Sequence, residues 1–301
     1  MTNILFRADS SSTIGTGHIM RDLVLASQYK DANTVFAVQD LEGNINHKIV
    51  EAGYKIEILN SNNIEELDKL IKKHNIDMII IDHYGIDYEY EKQLKIQNPT
   101  LKILSFDDTY EKHHCDILLN HNISADEKRY KDLVPETCEL RCGSKYTLLR
   151  EEFYHEKAIK REKIYDVFIA MGGADTQNLN IQLLEILPPY LKVAVVTTTA
   201  NENLEALKAY IEDKKLVDLY INSNQIAKLM NKSRFAIVTP SVTVNEVYFM
   251  ELPFLAIKTA DNQKELFAYL LKEHFLVIES FNKKIVKEIV LKQLGESSAK
   301  Y

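Results

Sequence analysis

Two doubly wound α/β units, each built on a largely parallel sheet, are what the sequence predicts. The first ground is the alternation of short β-rich runs with helical patterns along almost the whole chain. The second is a restart, because the strand, glycine loop and helix that open the chain recur from Tyr165. The third is length: 301 residues exceed what one hydrophobic core comfortably serves.

In order, Ile4–Arg7 reads as the first strand and Asp9-Ser10-Ser11-Ser12 as a polar turn. Gly15-Thr16-Gly17-His18-Ile19-Met20-Arg21-Asp22 then opens a helix continuing through Leu23–Ala26. Further strands are expected at Thr34–Val38, Lys55–Leu59, Met78–Asp82, Lys102–Ser105 and Asp116–Leu119, with helical patterns such as Ile64–His74 and Tyr88–Ile96 between them. From Ala125 to Arg161 the chain turns polar and irregular and carries the charge-dense stretch Glu151–Lys163, in which the mixed charges after His155 (Glu156-Lys157, Lys160-Arg161 and Lys163) read as a solvated linker. Tyr165–Ala170 restarts the pattern, followed by the loop Met171-Gly172-Gly173-Ala174-Asp175 and a helix from Asn178. Later strands are expected at Lys192–Thr198, Val217–Ile221, Phe235–Val238, Phe254–Lys258 and Leu276–Ile278. The last helix, Lys283–Leu294, either closes the second unit or crosses back to the first. The domains are therefore drawn as residues 1–160 and 161–301.

Composition excludes several functions. The net charge of −7 argues against nucleic acid as a partner. Without an apolar run near eighteen residues, membrane insertion is not expected. Cys115, Cys138 and Cys142 form an odd set without CxxC spacing, which fits a reducing compartment. Met1–Arg7 reads directly as a strand rather than a signal peptide. A cytoplasmic monomer is expected.

Ligands of open parallel sheets bind beyond the carboxyl ends of the strands, so polar residues following apolar runs are the site candidates. In the first unit these include Gly15, Gly17, His18 and Arg21 of the first loop and helix, and Asp82 and Tyr84 after the fourth strand. Glycines let a ligand approach the backbone, and a helix N-terminus favours an anion. The same dipole disfavours imidazolium, so His18 is expected to be neutral near pH 7 and available as a base. In the second unit the candidates are Gly172 and Gly173, whose loop amides can cradle a diphosphate. Ser241, Asn262 and Gln263 follow later strands, and Asn245-Glu246 sits one turn into a helix. Glu246 can accept both hydroxyls of a ribose, or can simply favour a helix dipole from the first turn.

A dinucleotide loop is a poorer reading of residues 9–22, because Met20 stands where a third glycine belongs and the loop is long; Asp40 is its candidate acid. The absence of Gly-Lys-Ser/Thr excludes a P-loop. His83, Asp107, Asp108, His113 and His114 invite a metal, yet no HExxH or Cys/His spacing appears. The aspartates orient substrate groups or end a strand.

Taken in order, GxGH, Asp82-His83-Tyr84-Gly85, Ser105-Phe106-Asp107-Asp108, Arg141-Cys142-Gly143, Met171-Gly172-Gly173 and Val244-Asn245-Glu246 form a set spanning nearly the whole chain. That ordered set resembles the UDP-2,4-diacetamido-2,4,6-trideoxy-β-L-altropyranose hydrolase family of pseudaminic acid biosynthesis. More generally the chain is similar to GT-B nucleotide-sugar enzymes. The resemblance implies a GT-B fold of two Rossmann-like domains facing a central cleft, with UDP on the C-terminal unit and the sugar towards the N-terminal one. It implies inverting hydrolysis of the sugar C1–O bond, His18 as the base for water, and no metal or organic cofactor. The alternatives are a glycosyltransferase of the same fold and a nucleotide-sugar binder without catalysis, which would need no base at His18.

Overall fold

A computed structural model of the chain describes residues 1–295. It divides into two compact units, with the junction between Leu149 and Arg150. The sequence puts that junction after residue 160.

The first unit runs β1 (Thr2–Ala8), α1 (Gly17–Ala26), β2 (Ala32–Gln39), α2 (Asn46–Glu51), β3 (Lys55–Leu59) and α3 (Ile64–Lys73). It continues through β4 (Met78–Asp82), α4 (Tyr88–Gln97), β5 (Lys102–Phe106), β6 (Ile117–Asn120) and β7 (Glu139–Cys142), with short 3-10 turns at Glu127–Tyr130 and Ser144–Tyr146. The sheet order is β3-β2-β1-β4-β5-β6-β7, and every pairing is parallel. Successive strand residues point to opposite faces, which sorts the core into two layers. Ile4, Phe6, Phe36, Val38 and Ile80 pack with Ile19 and Leu25 of α1 and Ile49 of α2. Leu5, Val35, Ala37, Ile79, Ile81 and Ile103 pack with Leu67 and Ile71 of α3 and Leu94 of α4.

The second unit opens with α5 (Glu151–Lys157), then β8 (Tyr165–Ala170), α6 (Leu179–Ile186), β9 (Val193–Thr197), α7 (Leu204–Ile211), β10 (Val217–Ile221) and α8 (Ile226–Asn231). β11 (Ser233–Val238), α9 (Val242–Phe249), β12 (Phe254–Ile257), α10 (Lys264–Lys272), β13 (Leu276–Ile278) and α11 (Lys283–Gln293) complete it. Its parallel sheet has the order β10-β9-β8-β11-β12-β13. Helix α11 buries Val286 and Val290 in this unit's own core, beside Leu179 and Leu183 of α6. It therefore closes the second unit.

Two expectations for residues 125–161 are corrected. The stretch is not wholly irregular: β7 pairs with β6 as an edge strand, Asn120 opposite Cys142. With four residues and only Cys142 buried, β7 is too short and too polar to announce itself. Nor is the charged run after His155 merely a solvated linker, since Glu156 and Lys157 close helix α5. Phe153 of α5 is fully buried, and Tyr154 meets Phe249 edge-on with ring centroids 4.9 Å apart. Arg161 pairs with Glu156 at 2.6 Å, and Lys157 with Glu251 at 2.9 Å. Phe153→Ala is expected to destabilise the second unit by about 3–5 kcal/mol in urea unfolding, the usual cost of emptying a phenylalanine site. A solvated linker would show almost no change.

Candidate active site

In each sheet the chain switches direction between two central strands: β1 and β4 in the first unit, β8 and β11 in the second. Loops beyond the carboxyl ends of such strand pairs diverge and leave a crevice. The segment after β1 carries His18, and β4 ends on Asp82.

Gly15 adopts φ +85°, a left-handed conformation open to glycine without strain, and Gly17 begins α1 with open space where a side chain would stand. This turn sets His18 in the first turn of α1, over the end of β4. His18 Nδ1 lies 2.8 Å from Asp82 Oδ1 and 3.0 Å from the Asp82 carbonyl oxygen. An imidazole held through Nδ1–H keeps Nε2 as its acceptor, the arrangement a general base needs. Arg21, one turn along α1, grips both oxygens of Asp82 through Nε and Nη2. Its Nη1 reaches Asp108 Oδ2 at 3.4 Å, and Tyr84 donates its hydroxyl to Asp108 Oδ1 at 3.0 Å. The Tyr84 ring stands edge-on to His18, with centroids 5.1 Å apart. A closed circuit of five side chains results. Beside it opens a cavity of about 480 Å³ within the first unit, lined by Arg21, Asp82, Tyr84, Tyr88, Asp108 and Lys112 among others.

The helix-dipole reasoning for His18 is corrected, because Asp82 sets its field instead. Burial lowers the imidazole pKa, but the hydrogen bond and charge of Asp82 raise it by more, so it lies above the ordinary histidine value. A carboxylate in direct contact outweighs a helix terminus whose field is spread over several amides.

Behind this circuit lies a second buried network. Arg7 is 1 % exposed and holds both oxygens of Asp9 at 2.7 Å, while Gln39 N–H donates to Asp9 Oδ1 at 2.7 Å. His83 Nε2 sits 3.2 Å from Asp9 Oδ2, and its Nδ1 accepts the Gly85 amide at 2.9 Å. A Cβ at Gly85 would stand 2.8 Å from His83 Cε1, which explains the glycine. Of the residues that invited a metal, His83 is thus engaged on both nitrogens. Asp107 accepts the amides of Thr109, Tyr110 and Glu111 and shapes the turn after β5. His113 Nδ1 meets Glu91 at 2.8 Å. Among the described residues no group of three or more His, Cys, Asp or Glu side chains could hold a metal ion.

In the second unit, Gly172 takes φ +85° after β8. Thr198 donates to the Gly173 carbonyl at 3.0 Å, and its Oγ1 would meet a Cβ at Gly173 at the same distance. The first amides of α6 are not open to a ligand, because Asp175 accepts those of Leu179 at 2.8 Å and Asn180 at 3.1 Å. Helix α9 differs: its N-cap Ser241 makes no side-chain capping bond, and its hydroxyl accepts from Thr239 at 3.1 Å. Asn245 is buried in the same helix. Glu246 lies past the first turn of α9, which removes the helix-dipole explanation. Burial pushes its pKa up to about 7, against the pull of Arg150 3.3 Å away. Gln263 ties down the loop after β12, accepting from the amides of Thr259 at 2.8 Å and Ala260 at 3.3 Å. The side chain of Asn262 lies outside the described part of the structure.

Sequence reasoning found these positions but missed how they are used. Arg21 and Asp82 were ligand candidates; both are engaged with each other behind His18. Asp22, fully buried with neither carboxyl oxygen hydrogen-bonded, closes the Gly15–Asp22 stretch, and His121, buried with its pKa pushed down to about 3, follows an apolar run, but neither is given a role by sequence alone.

The chain is 45% identical over 274 residues to the UDP-2,4-diacetamido-2,4,6-trideoxy-β-L-altropyranose hydrolase of Campylobacter jejuni, covering 91% of this chain and 98% of that one. In structure it is similar to Acinetobacter baumannii MurG, with a TM-score of 0.66, 11% identity, and coverage of 97% of this chain and 90% of the other. Anabaena HepE in complex with UDP-glucose gives a TM-score of 0.58 at 12% identity, covering 97% and 89%. These neighbours and the two parallel sheets establish the GT-B fold. No family model matches the chain.

Proposed function

The chain belongs to the family of UDP-2,4-diacetamido-2,4,6-trideoxy-β-L-altropyranose hydrolases, and on that premise we propose that it hydrolyses the C1–O bond of this nucleotide sugar with inversion. Water attacks C1, the electron pair of the C1–O bond leaves with UDP, and His18 Nε2 takes the proton from the water. Products are UDP and 2,4-diacetamido-2,4,6-trideoxy-L-altropyranose. The observation that carries the mechanism is the 2.8 Å contact of His18 Nδ1 with Asp82, which leaves Nε2 as the acceptor. The imidazolium formed on taking the proton is stabilised by the same carboxylate. UDP is a good leaving group, so backbone amides at Gly172-Gly173 and the uncapped α9 N-terminus suffice to receive the charge developing on the diphosphate. Neither metal nor organic cofactor takes part in this reaction scheme.

Ser241 joins that diphosphate site, and Glu246 receives the ribose hydroxyls. A carboxyl with a pKa of about 7 accepts two hydroxyl donors well only once ionised. UDP affinity is therefore expected to rise up to about tenfold from about pH 6 to about pH 8. Glu246→Gln should bind UDP more weakly and lose the part of that slope belonging to the protein. An unchanged affinity and slope in calorimetry would take Glu246 out of the ribose site.

Purified protein given the UDP-linked sugar without acceptor or added metal should release UDP at a steady rate. Release that waits for a sugar acceptor would make the chain a transferase. The free thiols of Cys115, Cys138 and Cys142 are consistent with action in the cytoplasm.

A further inference from the structure

The proposed base leaves unexplained why its carboxylate partner is held by an arginine that faces the same cluster. Asp82 is 2 % exposed at its side chain, and Oδ1 is shared between His18 Nδ1 and Arg21 Nη2, while Oδ2 takes Arg21 Nε. Arg21 is itself fixed, its guanidinium 5.0 Å from the centroid of Phe106 and its Nη1 turned to Asp108. We propose that Arg21 is a positioning residue for the reaction: by neutralising Asp82 it keeps that carboxylate ionised, so that Asp82 accepts Nδ1–H from a neutral His18 without capturing it as imidazolium. This inference rests on His18 being the base.

The physical case is a competition for one buried charge. A buried carboxylate with no counterion other than a histidine draws a proton onto that histidine, because an isolated buried anion is costly. With a guanidinium already bound in fork geometry, the anion is satisfied and its pull on the imidazole weakens. The other groups around His18 do not replace Arg21. Tyr84, on the loop after β4, presents a ring edge and spends its hydroxyl on Asp108. Asp22, on the same helix, has its pKa pushed well above the usual carboxylate range by burial and by the charge of Asp82. Asp108 follows β5 and lies on the far side of Arg21. His121, beyond β6, is neutral because burial and Arg21 oppose its protonation. Arg21 is the cation of the circuit, and it opposes protonation of His18 while Asp82 favours it.

The test is the pKa of His18 itself, read by NMR with ¹⁵N-labelled histidine in the whole protein and assigned with His18→Asn. In Arg21→Gln the His18 pKa is expected to rise by about one unit or more. The acid limb of the kcat–pH profile should move upward with it, while UDP affinity stays unchanged. Arg21→Lys, which keeps the charge but loses the fork, should shift it by less than half as much. In the native protein the ¹⁵N shifts should show the Nδ1–H tautomer. An Nε2–H tautomer, or a His18 pKa unmoved in Arg21→Gln, overturns the inference; the tautomer measurement decides even if Arg21→Gln fails to fold. A His18 pKa that moves while the kcat limb stays fixed would instead retire His18 as the base, and the part of Arg21 in the reaction would fall with it, leaving only its effect on the imidazole.

Discussion

Replacing His18 with alanine or asparagine is expected to lower kcat by about 10²–10⁴-fold, the range that a positioned general base supplies. UDP affinity should stay near the native value. The separation follows from where the residue lies: His18 is in the first turn of α1, bound to Asp82 at the end of β4, whereas the proposed nucleotide contacts belong to the second unit. A base that acts on water contributes to the transition state and little to ground-state binding, so kcat falls while KM holds. The native profile should lose activity as pH falls through a value above the ordinary histidine pKa, since Asp82 raises that of His18. Asparagine is the more searching replacement, because it can keep a hydrogen bond to Asp82 yet cannot take the proton. Near-normal turnover in either variant would remove His18 from the chemistry.

Asp9→Ala is expected to cost about 3–5 kcal/mol of stability, because it strands a buried guanidinium. Arg7 and Asp9 are both 1 % exposed at their side chains, and Asp9 also receives Gln39 N–H and His83. These partners hold its carboxyl well below the usual carboxylate range despite the burial that opposes them. A lowered pKa of this kind adds stability at every pH above the unfolded value, about 4, and that stability fades as the pH falls below it. The acid arm of the native protein's unfolding curve should therefore be steep below about pH 4 and flatter in the variant. Urea unfolding of Asp9→Ala beside Arg7→Met/Asp9→Leu separates two causes. If the lone charge is what hurts, the double variant recovers most of the loss; if it is as unstable as the single one, the network matters for its shape rather than its charge.

The parallel strands were legible because both of their faces are covered. Val35-Phe36-Ala37-Val38 and Met78-Ile79-Ile80-Ile81 are almost unbroken apolar runs, as fully buried strands must be. Strand β7 has an exposed edge and three polar or half-buried positions of four, so no run marked it. Helix α5 hid for a related reason: its charges dominate the composition, and the single buried ring of Phe153 holds it in place. For the site, the GxGH loop stood out because glycine spacing and a helix start are local signals. What joins His18 to Asp82 is not local. It depends on β1 lying beside β4 in register, Ala8 opposite Asp82, across more than sixty intervening residues. The same adjacency turned Arg21 and Asp82 from open candidates into an ion pair of a half-buried arginine and a buried carboxylate. Likewise, Asp175 reads in sequence as part of a phosphate-binding loop, and only the fold of that loop reveals that its carboxylate caps α6.

The most direct test of the reaction is to let the protein consume the UDP-linked diacetamido-trideoxy-altrose in ¹⁸O-labelled water and weigh both products. Attack by water at C1 places the label in the released sugar and leaves UDP unlabelled. Label in UDP would mean attack at phosphorus, which contradicts both the C1–O cleavage and the part given to His18.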